Sequence, residues 1–91
     1  MRALYTLGSR KGYAFAGCNA NGNNAYFVKQ ALAGNLLTPS AADGYVESRF
    51  RESRGPNGEL TLVGGSARLE LIADMQVVDT ESGRSLRLRD A

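Results

Sequence analysis

SARLELIADMQVVD, Ser66 to Asp79, is the stretch on which the fold reading turns. Ala67, Leu69, Leu71, Ala73, Met75 and Val77 alternate with Arg68, Glu70, Ile72, Asp74, Gln76 and Val78. Side chains that change face at every residue are the mark of a half-buried strand, so the pattern predicts a long strand over 67–78. Thr80-Glu81-Ser82-Gly83 reads as a turn, and SLRLRD as the returning strand, with Leu86 and Leu88 inward and Arg87 and Arg89 outward. Upstream, ELTLV (59–63) supplies a third strand, making a three-stranded antiparallel meander.

Working toward the N-terminus, residues 45–54 admit two readings. As a helix, Thr38 caps it, Pro39 starts it, Glu47 pairs with Arg51 and Gly55-Pro56 ends it, with Gly44 as the interior objection. As a strand, the segment leads through the turn GPNG into ELTLV. Ala25–Ala33, with Tyr26, Phe27, Val28, Ala31 and Leu32 apolar, reads as a helix capped by Asn23 or Asn24 and stopped by Gly34 in left-handed backbone. Arg2–Leu7 and Tyr13–Gly17 are short aromatic and aliphatic runs on either side of GSRKG, which predicts an N-terminal β-hairpin.

Together these elements predict an α+β fold in one small domain, residues 1–91. It would be a twisted antiparallel sheet of about five strands, with one or two helices packed on one face. Phe27, Val28, Ala31 and Leu32 of the helix would meet Leu69, Leu71, Met75, Leu86 and Leu88 of the sheet. On this register Leu71→Asp should unfold the domain.

Composition narrows the chemistry. The chain has 91 residues, one cysteine and no histidine. An intrachain disulfide is therefore impossible, and the commonest zinc ligand and general base are missing. No carboxylate cluster has metal spacing, and no nucleophile stands with a base, so neither an enzyme nor a metal or cofactor site is expected. Cys18 reads as a structural thiol. The lone thiol and the absence of any long apolar run point to a cytoplasmic protein with no membrane segment. A chain this short has a thin stability margin, which points to a homodimer.

Two groups of residues are candidates for binding. GCNANGNN, Gly17 to Asn24, places glycines as G-x-x-x-x-G between an apolar run and the expected helix. It lacks the lysine and hydroxyl residue of a nucleotide-hydrolase phosphate loop. Its backbone amides at a helix start, with Asn23, Asn24, Arg10 and Lys11, could still hold an anion. Residues 1–42 carry Arg2, Arg10, Lys11 and Lys29 and no acid, whereas the rest mixes seven arginines with nine acids. Arg49, Arg51 and Arg54, with Arg84, Arg87 and Arg89, form two basic groups. Ile72 and Val78 interrupt the polar face of the long strand. Arg49, Arg51, Arg54, Ile72, Val78, Arg87 and Arg89 therefore make a candidate interaction surface. The first expectation is a non-enzymatic interaction protein, a regulator or inhibitor of a larger protein machine of the bacterial, phage or mobile-element type. The alternative is a binder of nucleotides or single-stranded nucleic acid.

Overall fold

The computed structural model describes all 91 residues. The chain is α+β, with two α-helices and two antiparallel sheets of two strands each. A single sheet of about five strands is not formed. The residues group into two compact units, Met1–Phe50 and Arg51–Ala91, each described here by itself.

The first unit opens with α1 (Arg2–Arg10) where a strand was expected. Arg, Ala and Leu are good helix formers, and Tyr5 and Gly8, three apart, lie on one face. The Tyr5 ring meets Phe15 edge-on at 6.2 Å between centroids. Gly8 lies against the other ring of the core: a Cβ there would stand 2.8 Å from Phe27 Cε1. A helix this close is possible only without a side chain at that position. Leu4 and Leu7 stay about half exposed.

After a turn at Lys11-Gly12, β1 (Tyr13–Cys18) pairs with β2 (Ala25–Lys29) in a hairpin. The register sets Tyr13 opposite Lys29 and Phe15 opposite Phe27, and a bulge at Ala16 shifts it before Gly17 meets Tyr26. Thus 25–29 is a strand, not the start of a helix. Tyr26, Phe27 and Val28 are aromatic and β-branched, types that favour a pleated surface once a partner strand is present. Only a 3₁₀ turn at Gln30–Leu32 remains of the expected helix. Gly34 does take left-handed backbone, at φ 50°. Phe15 is 2% exposed and is the centre of the unit, packed against Phe27 with ring centroids 5.3 Å apart and planes tilted by 44°. Gly44 closes against it from the later loop.

In the second unit, residues 51–54 form no regular strand or helix, as is also true of 45–50 in the first. GPNG does turn the chain. Gly58 N–H donates to Gly55 O and Gly55 N–H to Glu59 O, each at 2.9 Å, and one antiparallel bridge joins Arg54 to Leu60. ELTLV goes no further as a strand.

The stretch 67–78 is divided. Gly65–Leu71 is α2, and Gln76–Val78 is β3, paired with β4 (Ser85–Arg87). Arg68, near the end of α2, draws it back toward the chain, with Nε donating to Ser53 Oγ and Nη2 to Val63 O. That tertiary tie overrides the period of two. The turn is found as read, with Gly83 left-handed at φ 72°, but the returning strand covers only Ser85–Arg87 and gives way to a 3₁₀ turn at Leu88–Asp90, with Leu86 and Leu88 half-buried. The expected layer of helix on sheet is absent, because neither of the two elements that would make it exists. Leu69, Leu71 and Met75 are 55%, 71% and 57% exposed. Leu71→Asp is therefore a surface substitution and not a core one.

Candidate functional site

The hairpin of the first unit has two ends of different character. At the Cys18 end the loop 19–24 is occupied by its own hydrogen bonds. Asn19 Oδ1 accepts the N–H of both Asn23 and Asn24 at 3.1 Å, and Asn19 Nδ2 donates to Asn23 Oδ1 at 2.7 Å. Asn19 N–H donates to Asn24 O and Gly22 N–H to Asn19 O. The amides of 19, 22, 23 and 24 thus already have acceptors, and an anion would have to displace them. No helix follows the loop, so no helix dipole adds to it. The chain at 46–49 lies directly against the loop. Arg49 N–H donates to Asn21 O at 2.9 Å, and a Cβ on Gly22 would stand 2.5 Å from the carbonyl oxygens of Val46 and Glu47. Cys18 is half-buried, its N–H given to Gly44 O.

Arg10 and Lys11 lie at the other end of β1, about 17 Å of strand away from Asn23 and Asn24. The structure does not bring these four residues together. It instead places Lys29 beside Arg10 and Lys11. Gln30 N–H donates to Gly12 O at 2.9 Å, and Lys29 stands opposite Tyr13 in the ladder. All three cations are exposed, and none forms an ion pair. A cleft of about 120 Å³ in the same unit is lined by Tyr5, Ser9, Tyr13, Phe15, Gln30 and Thr38 and by none of the three cations. Of the unit's two acids, Glu47 belongs to the far end, against Gly22, and Asp43 accepts the Ser40 hydroxyl at 2.6 Å. Reading 25–29 as a strand would have exposed this grouping in the sequence; reading it as a helix hid it.

The arginine-rich candidate surface divides between the units. Arg49 is in the first, and Arg51, Arg54, Ile72, Val78, Arg87 and Arg89 are in the second. Arg54 pairs with Glu52 at 2.9 Å and donates to Gly58 O. Arg87 and Arg89 both hold Asp74 Oδ1, at 3.0 and 2.6 Å. These exposed pairs neutralise much of the local charge and contribute little to stability. The apolar members are open, Ile72 at 36% and Val78 at 60%. With Leu60, Leu62, Leu69, Leu71 and Met75 they form a larger set of exposed apolar side chains than the sequence reading found.

One carboxylate is perturbed. The Ser82 hydroxyl donates to Asp79 Oδ2 at 2.5 Å and Glu81 N–H to Oδ1 at 3.0 Å. These bonds, with Arg84 nearby, hold Asp79 below its ordinary value of 3.8. Asp79 therefore acts as the cap of the β3–β4 turn.

No group of three or more Cys, Asp or Glu residues is placed to hold a metal ion, and no helix is long and apolar enough to cross a membrane. Compared with protein-family models, curated proteins and solved structures, the chain matches none.

Proposed function

We propose that this protein acts by association: a non-enzymatic interaction protein that forms a homodimer in the cytoplasm and regulates or inhibits a larger protein machine through its surface. The observation that carries the reading is the state of the second unit. Across Arg51–Ala91 the only buried hydrophobic residue is Ala73, while seven large apolar side chains are at least 36% exposed. A segment of about 40 residues without disulfide or metal is at the lower limit of what folds alone, even with a good core.

The accessible surface supports the same reading. Globules of roughly 5.3 and 4.4 kDa, the shares of the two units, would together expose about 6,200 Å². The chain exposes 7206 Å². A second copy is the simplest partner, because a two-fold pair covers the same apolar patch on both chains with one set of contacts.

Native mass spectrometry between 1 and 100 µM (roughly the range in which such dimers dissociate) tests it. The expected result is a species of twice the chain mass. Leu71→Asp together with Met75→Asp should shift it to monomer. A monomer at the highest concentration whose second unit still shows protected amides would remove the basis of the proposal.

A further inference from the structure

We infer that the basic end of the first unit is a binding site for the phosphodiester backbone of a single-stranded nucleic acid, made by Arg10, Lys11 and Lys29 with Tyr13 as a stacking platform. Several independent features converge there. The three cations come from a helix end, a turn and a strand end. Their backbones are fixed to one another by the Gln30–Gly12 hydrogen bond and the Tyr13–Lys29 register. None is committed to a carboxylate, in contrast to the arginines at 54, 87 and 89. The first unit carries five cations against two acids, and Glu47 sits at the opposite end of the hairpin, against Gly22. The second unit, with six cations against seven acids, has no comparable field.

Polar side chains complete the site. Ser9, Gln30 and Thr38 line a cleft of about 120 Å³ with Tyr13, and Ser9 and Gln30 are the chain neighbours of Arg10 and Lys29. Three cations spread over separate elements cover more than one phosphate, which favours a strand over a free anion. Tyr13 is 37% exposed between Lys11 and Lys29 along the chain path, so an aromatic ring stands among the charges. Unstacked bases seek such a surface, whereas a duplex would keep its bases from it. The site does not depend on the association proposed above, since its residues all lie in the first unit.

The test is fluorescence anisotropy of a labelled 20-nucleotide oligothymidylate with the full-length protein. Three phosphate contacts to a single strand predict a log–log salt slope of about −2, and so a weakening of about 20-fold between 50 and 200 mM salt. The variant Arg10→Gln/Lys11→Gln/Lys29→Gln alters exposed, unpaired side chains. It should keep its melting curve, bind at least tenfold more weakly at 50 mM salt and lose most of the slope. Tyr13→Leu should weaken binding about fivefold or more, and Tyr13→Phe should restore it. Arg51→Gln/Arg54→Gln/Arg87→Gln should leave binding unchanged. The proposal is overturned if the wild type does not bind at low salt, or if the triple variant at the basic end binds as well as the wild type. Release of the oligonucleotide by low-millimolar inorganic phosphate at constant ionic strength would overturn it too, marking a free-anion site. Preference for a duplex of the same length would count against it equally.

Discussion

Single residues hold the first unit together, and their roles differ in kind. Phe15 is the one large side chain fully removed from water, touching Tyr5 and Phe27. Phe15→Ala should therefore cost about 3–5 kcal/mol, enough to unfold most chains of this size, and urea titration reads it directly. Leu71→Asp provides the contrast. At 71% exposure it should change the stability of the isolated chain by no more than about 0.5 kcal/mol. Gly22 combines left-handed backbone at φ 66° with a carbonyl wall 2.5 Å from any added Cβ. Gly22→Ala should cost at least 1–2 kcal/mol and lower the melting temperature by roughly 5–15 °C, because neither the backbone nor 46–47 can give way cheaply. The sequence showed that residues 17–24 were special but assigned them the wrong task. Asn19, read as one of several loop asparagines, is the residue that closes the turn on itself. That can be seen only once residues 23 and 24 are known to lead into a strand and not a helix.

Elements were legible where their cause is local. The turns at Gly34, Gly58 and Gly83 all take positive φ, and the 79–84 connection joins the two strands expected of it. Glycine and Asx chemistry acts within four residues, so a sequence carries it openly. Helix against strand was not legible at 2–7, 25–29 and 65–71, because each choice is made by a distant partner. Tyr5 needs Phe15, Phe27 needs the β1 register, and Arg68 needs Ser53 and Val63. The period of two over 67–78 is genuine in the sequence but is outweighed by that last tie. The β3–β4 turn provides a pH test. Asp79 is held below its ordinary value, chiefly by the Ser82 hydroxyl, so its folded state binds a proton less readily than the unfolded chain. Its contribution is thus fully present above the unfolded value, near 3.8, and is lost as pH falls through the lower folded value. Between pH 5 and pH 2, the protection of the amides at 81–84 relative to their intrinsic exchange rates should fall in the wild type. In Asp79→Asn it should be lower at pH 5 already and change little.

At the scale of the molecule, what matters is how little the chain encloses. Only Phe15 and Ala73 are buried hydrophobics, so stability at working concentration should depend on association. A dimer that stabilises the fold makes the melting temperature rise with concentration. Scanning calorimetry from 5 to 200 µM should show an upward shift, and a constant midpoint would argue against coupling of folding to pairing. Charge is as unevenly arranged as apolar surface. Arg10, Lys11 and Lys29 stand at one end of the first hairpin, and Glu47 at the other. A separation of this kind acts before any contact is made. It exerts a torque on the unit in the field of an approaching polyanion, so that encounters begin with the cationic end turned toward it. The effect would appear in the association rate, which should fall steeply with added salt, while the dissociation rate would report the contacts formed afterwards.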